Sequence, residues 1–397
     1  MTRPEILSPA GDRERLLAAL RYGADAVYLA GRSFGMRAAP DNFDEDGLRE
    51  AVALSHAAGA KVYVTCNTLP RNHEIAALPS FLELIQDVGA DAVIAADLGV
   101  IGMVKRYAPR LKLHISTQLG VINYETARTL YDMGASRVIL ARELSLEEIA
   151  GIRAKTGPAP ELEVFVHGAM CMAYSGRCSF SHYLTGREAN RGDCTQPCRW
   201  EFGFTEPKRP GQEFTAAGDD TGSYLFNAND LNMIGHIPEL IEAGISAFKI
   251  EGRAKAAYYV AAVTNAYKAA VAAGKAALWM AEELNRVSHR PYGTGFFFGE
   301  PSQDTGAGGY IRDWQVAAEV IGYRNGRLLL SQRNRFYEGE ILSVLTPGQP
   351  PFDITATDLR NADGELIEAA NQAAADCSIA FDKPIPAGSY LRRRNIS

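Results

Sequence analysis

One phrase recurs along the first 275 residues of this 397-residue chain: a helix-like stretch, a glycine, a small residue, then a short apolar run. It appears as Gly23-Ala24-Asp25-Ala26-Val27-Tyr28, Gly59-Ala60-Lys61-Val62-Tyr63-Val64, Gly89-Ala90-Asp91-Ala92-Val93-Ile94 and Gly134-Ala135-Ser136-Arg137-Val138-Ile139. A fifth copy, Gly244-Ile245-Ser246-Ala247-Phe248-Lys249, carries isoleucine in the small position. Glycine just past a helix takes the left-handed conformation without a Cβ clash. The short apolar run after it suits a strand covered on both faces. Further runs at 5–7, 111–115 and 162–166 bring the strands to eight, with periodic helical stretches such as 47–58 and 126–133 between them. Strictly alternating units predict a parallel α/β fold. Eight of them in roughly 270 residues fit a closed (β/α)8 TIM-type barrel better than the open doubly wound sheet that is its alternative.

The units are unequal. Strand seven ends at His167 and strand eight begins near Ala247, about eighty residues later, where roughly thirty would complete a unit. This surplus predicts a Cys-rich insertion at about 168–225, on the face where barrel loops build active sites. A barrel over 1–275 is then followed by a helical segment and linker over 276–309. Beyond it, strand-like runs at 316–323 and 327–331 flank Asn325-Gly326, a strong hairpin signal. With runs at 339–345, 352–357 and 375–381, they predict a small β-barrel domain over 310–397.

Composition narrows the class. Hydrophobic residues make up 47% and charged residues 22%, the balance of a soluble protein with a sizeable core. No stretch approaches the ~20 apolar residues of a membrane span. The N-terminus lacks a signal-peptide apolar region, so a cytoplasmic location and no membrane partner are expected. The net charge of −6 gives no bulk support to nucleic-acid binding.

Cysteine says more. Four of the six, Cys171, Cys178, Cys194 and Cys198, fall within one short stretch of the insertion. In a cytoplasmic protein such clustering points to a metal or redox site before a disulfide. The spacing Cys-x6-Cys-x15-Cys-x3-Cys suits an iron–sulfur cluster or tetrahedral zinc, with unliganded thiols the remaining alternative. Cys66 and Cys377 are expected to be packing residues.

No G-x-S-x-G elbow and no H-E-x-x-H pair is present. Cys171 with His167 or His182 as base would make a thiol nucleophile, although four neighbouring cysteines make ligation the simpler account. At predicted strand ends stand Asn67, Asp97, Ser116, Gln118, Arg142, Glu143, His167, Lys249, Glu251 and Arg253. The cations Arg142, Lys249 and Arg253 would suit a small di-acid, since arginine binds carboxylate through two bonds. The plainer alternative pairs strand-end charges with one another, for example Arg142 with Glu251. Lys249 is also placed to act as a Schiff-base lysine. His167 is a ligand or acid/base candidate, against the commoner buried structural histidine.

The stretch Glu163-Val-Phe-Val-His167-Gly-Ala-Met-Cys171-Met-Ala-Tyr-Ser-Gly-Arg-Cys178 resembles the signature of the collagenase-like peptidase family of unassigned catalytic type. Support comes from Glu5-Ile-Leu-Ser-Pro-Ala-Gly11, Ala141-Arg142-Glu143-Leu144-Ser145, Cys194-Thr-Gln-Pro-Cys198-Arg-Trp200 and Lys249-Ile-Glu-Gly-Arg253. The resemblance covers nearly the whole chain and is strongest to the branch of prephenate-dependent tRNA uridine 5-hydroxylases. It implies a [4Fe–4S] cluster on Cys171, Cys178, Cys194 and Cys198. It also implies oxygen-independent conversion of the tRNA wobble uridine to 5-hydroxyuridine, with prephenate as co-substrate. On that basis Arg142, Lys249 and Arg253 are expected to bind the di-acid, and His167 and Glu251 to transfer protons. Tyr174 and Trp200 are expected to stack on a splayed base, with core packing the alternative for Trp200. The partners expected are tRNA and the small di-acid, with a paired homologue left open. The rivals are a collagenase-like endopeptidase, and an RNA-binding accessory protein whose cysteines hold structural zinc.

Overall fold

Each of the eight apolar runs forms a strand in the computed structural model, which describes residues 3–36, 42–200, 218–219, 222–223, 228–302 and 309–395. The strands are β1 (Glu5–Pro9), β2 (Ala26–Leu29), β3 (Lys61–Cys66), β4 (Ala92–Ala95), β5 (Lys112–Ile115), β6 (Ala135–Ile139), β7 (Glu161–Gly168) and β8 (Ala247–Ile250). Neighbours pair in parallel from β1 round to β7, and β8 pairs with both β7 and β1, which closes the sheet. The closing pairs, Leu7↔Lys249 and Phe165↔Lys249, exclude the open doubly wound sheet.

Local chemistry explains the repeat. All five glycines of the recurring phrase, Gly23, Gly59, Gly89, Gly134 and Gly244, take positive φ where a helix ends. Helix starts are capped by side chains: Asp12 for α1 (Arg13–Arg21), Asp44 for α2 (Glu45–Ala57) and Asp97 for α4 (Leu98–Tyr107), the helix after α3 (Leu78–Asp87). Asn123 and Ser145 do the same for α5 (Tyr124–Asp132) and α6 (Leu146–Thr156). Each such cap contributes about 1 kcal/mol. Asp97 is thereby a cap, and the structure gives it no place at the site described below. The ring is completed by α7 (Ile237–Glu242) and α8 (Ala257–Ala273), the latter buried along most of its length.

Residues 169–200 leave the C-terminal end of β7 with little regular structure beyond a short helix, Phe180–Thr185. The expected insertion is thus described in its first part; residues 201–217, 220–221 and 224–227 lie outside the described residues. The chain returns through Asp230–Asn232, antiparallel to the end of β7.

After α9 (Leu278–Leu284), a seven-stranded antiparallel half-barrel follows. Its strands are β9 (Trp314–Arg324), β10 (Arg327–Gln332), β11 (Ile341–Leu345), β12 (Phe352–Thr355), β13 (Thr357–Asn361), β14 (Asp376–Ala380) and β15 (Tyr390–Arg394), in the order β12-β11-β15-β9-β10-β14-β13. Asn325 and Gly326 turn the first hairpin with φ of 51° and 74°, the two positive values that a twisted two-residue turn needs. The half-barrel has its own apolar core and docks on the barrel through Leu345 and Tyr390, which join the barrel's core, and through polar contacts. Tyr22 donates to the carbonyls of Leu345 and Gly388, each at 3.1 Å. Arg392 meets Glu283 at 2.5 Å, with both side chains fully buried.

Candidate active site

A cavity of about 650 Å³ opens at the C-terminal ends of the barrel strands, within the usual range for small-ligand sites. Its floor comes from the barrel: Tyr28, Phe165, Lys249 and, just past β8, Glu251 and Arg253. Two glycines permit this crowding. A Cβ on Gly11 would lie 2.2 Å from the carbonyl oxygen of Arg253, and one on Gly168 would lie 2.4 Å from that of Glu251. The segment 251–253 is therefore clamped between the ends of β1 and β7, and larger residues would push it out of place.

Most of the expected strand-end residues meet here. Arg142, Lys249, Glu251 and Arg253 all line the cavity, with Asn67, Ser116, Gln118 and Glu143. Arg142 stacks 3.7 Å from the Phe165 ring centre, donates to the carbonyl of Ala169 at 2.9 Å and stands 3.9 Å from Glu251. The pairing of Arg142 with Glu251 is thus present, as a loose contact. Lys249 lies 3.1 Å from Glu163 and 4.4 Å above the Tyr28 ring; burial holds its ammonium below the ordinary lysine value. Arg253 donates to Thr65 at 3.3 Å and Asn42 at 2.8 Å. Tyr28 donates to the carbonyl of Ile250 at 3.0 Å and to Glu251 at 3.4 Å, which places a phenol against that carboxylate.

The cysteine segment forms one wall. Cys171, Cys178, Cys194 and Cys198 all line the cavity. Cys171 and Cys194 are exposed to it, while Cys178 and Cys198 are half-buried. The backbone N–H groups of Phe180 and Gln196 donate to the sulfurs of Cys178 and Cys194 at 3.3 Å, and that of Ala173 donates to Cys171. The surrounding protein raises the thiols of Cys171 and Cys198, with neighbouring cysteines adding to the shift. Among the described residues, no three His, Cys, Asp or Glu side chains come close enough to share one metal ion. Glu143 takes hydrogen bonds from both the N–H (2.5 Å) and the hydroxyl (2.7 Å) of Ser175, stapling the wall to the barrel. Ser175 and Gln196 hold φ of 46° and 56°, strained values for residues other than glycine. Cys66 and Cys377 are buried away from the wall, with thiols pushed up to about 12 by burial.

His167 is the exception among the expected site residues. Phe165 lies opposite Lys249 but His167 lies opposite Ile250, so β7 carries one extra residue there. Such a bulge re-aims the side chains beyond it. His167 does not line the cavity; it packs outside the sheet against Tyr259, Tyr267 and Tyr292. Burial first, with His289 and Lys255 nearby, pushes its imidazole down to about 3, so it is neutral. Proton transfer to a ligand in the cavity is out of its reach, and no histidine lines the cavity among the described residues. Tyr174 and Trp200 are exposed, at 48% and 43%, on the same segment as the cysteines but outside the cavity lining. Core packing is thereby excluded for Trp200.

Several lining residues carried no signal of their own in the sequence: Tyr28, Phe165, Arg187, Arg199, Lys255 and Tyr310. The acidic whole conceals a cationic cavity. Among the described lining residues, Arg142, Arg187, Arg199, Lys249, Arg253 and Lys255 face only Glu143, Asp193 and Glu251, in a chain of net charge −6.

Comparison with known proteins bears on the same residues. A family model described as peptidase family U32 matches residues 11–307, and one described as its C-terminal domain matches 312–392. The chain is 35% identical to tRNA hydroxylation protein P of Escherichia coli, across 93% of this chain and 92% of that protein. It is 34% identical to tRNA hydroxylation protein P1 of Bacillus subtilis, across 98% and 95%. A collagenase of Porphyromonas gingivalis is 34% identical across 75% of this chain and 74% of that protein.

Proposed function

The chain belongs to peptidase family U32, and on that footing we propose that it is an RNA hydroxylase. Its reaction is the oxygen-independent formation of 5-hydroxyuridine at the tRNA wobble position, with prephenate as co-substrate. The observation that carries this is the cavity itself: a cationic floor beside a wall of four cysteines. A low-dielectric cleft lined by one sign of charge draws in ligands of the other, and prephenate is a di-acid. Arg142 and Lys249 would take its carboxylates, and Glu251, with Tyr28 against it, would hold or move a proton. Exposed Tyr174, Tyr183 and Trp200 on the cysteine segment offer faces on which unstacked bases lie.

The donor set, four thiols around one cavity, fits a [4Fe–4S] cluster. Tetrahedral zinc draws its thiolates to within about 3.8 Å of one another, as Zn–S bonds of ~2.3 Å require. A cluster ligates each thiolate to a different iron and spreads them wider. Four cysteines line one cavity, near enough for their thiols to raise one another. Backbone N–H groups aimed at three of the sulfurs are the hydrogen bonds that tune such clusters. Cys171, Cys178, Cys194 and Cys198 would hold the cluster, which when bound supplies one-electron transfer at the cavity wall.

The peptidase reading lacks its base. A thiol nucleophile needs a lowered pKa or an adjacent histidine, whereas the Cys171 thiol is raised and no described histidine reaches the cavity. Mass analysis of tRNA nucleosides from a deletion strain tests the proposal. Loss of 5-hydroxyuridine and its derivatives, restored by the gene, is expected. Unchanged nucleosides together with Cys171-dependent peptide cleavage by iron-loaded protein would overturn it.

A further inference from the structure

A (β/α)8 barrel is ordinarily filled by branched apolar side chains. This one carries a chain of charges along its interior. Lys61 meets Glu5 at 2.9 Å, Glu5 meets Arg137 at 2.7 Å, Arg137 meets Glu163 at 3.1 Å, and Glu163 meets Lys249 at 3.1 Å. Arg137, Glu163 and Lys249 are exposed by only 3%, 0% and 5%. Arg137 reaches Glu161 as well, at 2.7 Å. Glu163 Oε1 has no hydrogen-bond partner and faces the Lys249 ammonium.

Stability does not account for such a chain. Replacing a buried ion network by packed apolar residues is commonly neutral or stabilising. What distinguishes this network is where it ends. It starts at the exposed Lys61, alternates in sign, and finishes with a cation at the cavity floor. Lys249 has a share in one carboxylate, which it divides with Arg137. Beside it, the Arg142 guanidinium lies 3.7 Å and the Lys249 ammonium 5.3 Å from the Phe165 ring centre, and both line the cavity.

We propose that Glu163, itself held by Arg137, is a positioning residue that fixes Lys249 as a permanent cation on the cavity floor, where it receives a carboxylate of the small co-substrate alongside Arg142. This rests on the reading of the cavity as a di-acid site. The groups around Lys249 are Glu163 of β7, Arg137 of β6 and Arg142 beyond it, Tyr28 of β2, His114 of β5, and Glu251 and Arg253 after its own strand. Burial and Arg142 both act to discharge Lys249, His114 is buried and neutral, and Glu251 gives partial support. The Glu163 carboxylate is the chief group that keeps the amine protonated. Without it burial and Arg142 would act against the charge with only Glu251 opposing them.

The test is Glu163→Gln in the full-length protein, with Lys249 acetylation by acetic anhydride followed by peptide mass spectrometry as pH is raised. Only the neutral amine reacts. The variant's midpoint is expected lower than the parent's, read as about tenfold faster labelling at a pH where the parent amine stays charged. Prephenate affinity, measured by calorimetry, should be level with pH in the parent protein. In Glu163→Gln it should weaken as pH rises and recover on acidification, which a general loosening of the barrel would not produce. Glu163→Asp should restore most of both properties, and it decides the matter should Glu163→Gln fail to fold. A folded variant whose Lys249 labels as in the parent overturns the inference. If the parent protein itself binds no prephenate, the co-substrate reading falls, and the labelling profile still decides the role of Glu163.

Discussion

Phe165 and Lys249 on the cavity floor, and Glu163 buried against Lys249, stand on strands hydrogen-bonded to neighbours on both sides and enclosed by helices. The cysteine wall opposite is made of short turns, one helix of six residues and two non-glycine residues at positive φ. It is tied to the barrel by side-chain contacts: Glu143 to Ser175, Arg71 to Glu188 and Arg191 to Glu74. The floor keeps its geometry because the whole barrel would have to yield before it did. A wall of this construction has little apolar burial of its own, and a metal group held by its thiols would add order, because metal binding free energy becomes folding free energy at such sites. On the proposed function, recognition of a small anion and retention of a cofactor would fall to two substructures of different stiffness. They should respond differently to substitution.

The largest divergence is expected at the wall. Cys194→Ser should abolish iron retention and reduce hydroxylation by more than about 100-fold, beyond the 10–100-fold typical of residues that only support a ligand. The thermal midpoint of the ligand-free protein should hardly move, since Cys194 is exposed and packs against little. Iron assay, nucleoside analysis and a melting curve check this together. A large fall in the ligand-free midpoint would show that the wall is part of the barrel's fold.

At the floor the balance reverses. Arg137→Leu removes a buried guanidinium and leaves Glu163 without a partner on that side and Glu5 with only Lys61 and the Tyr63 hydroxyl among its described partners. Breaking such a network costs about 3–5 kcal/mol, measurable by denaturant unfolding. Adding Glu163→Leu should recover much of that loss, because apolar groups pack in place of the pair, but it should not recover prephenate binding. Stability and function would then separate within one structural element.

The same contrast governs what could be seen in advance. Barrel strands were legible because they are nearly continuous apolar runs bounded by left-handed glycines, and local sequence dictates both. The four cysteines were legible because they fall within one short stretch of sequence. The interior charge chain was not, although Glu5, Arg137, Glu163 and Lys249 stand in plain view. Their meaning depends on which strands become neighbours and on inward register, neither of which is local. His167 was misplaced for a related reason. Alternation along β7 points it inward with Glu163 and Phe165, and one extra residue in the strand reverses that. Strands β13 and β15 went unnoticed because their alternation is interrupted by Arg360 and by the run Arg392-Arg393-Arg394. Arg392 is fully buried against Glu283, a partner more than a hundred residues away.

His167 supplies a third, smaller effect that separates packing from chemistry. A base whose native pKa lies below its unfolded value takes up protons mainly when unfolded. Stability from His167 is therefore complete above about 6.5 and is lost as pH falls towards its native value of about 3. Between pH 6.5 and 4.5 the loss should amount to about 2–3 kcal/mol. His167→Phe should flatten that part of the stability profile while hydroxylation stays within about twofold of the parent. A fall of two orders of magnitude in turnover would return His167 to the reacting centre.

The smallest expected effect probes the tether of the wall. Arg191 meets Glu74, and also Glu188 at 3.2 Å, with each side chain about a quarter exposed. Ion pairs this open to solvent are worth about 0–1 kcal/mol, so Arg191→Ala should shift global stability by no more than that. Local consequences should be larger than global ones. Arg191 lies three residues before Cys194, and Glu74 lies on the barrel side of the contact, so the pair restrains the turn that presents the sulfur. Freed from it, the turn should open more often without the barrel unfolding. Iron loss to a chelator should quicken by about 2- to 5-fold, the change that ~0.5–1 kcal/mol of local restraint implies. High salt should produce a similar quickening in the parent protein and little further change in the variant, because screening removes the same contact. An equal salt response in both proteins would mean that the wall is held by its packing, and that floor and wall are less distinct than their construction indicates.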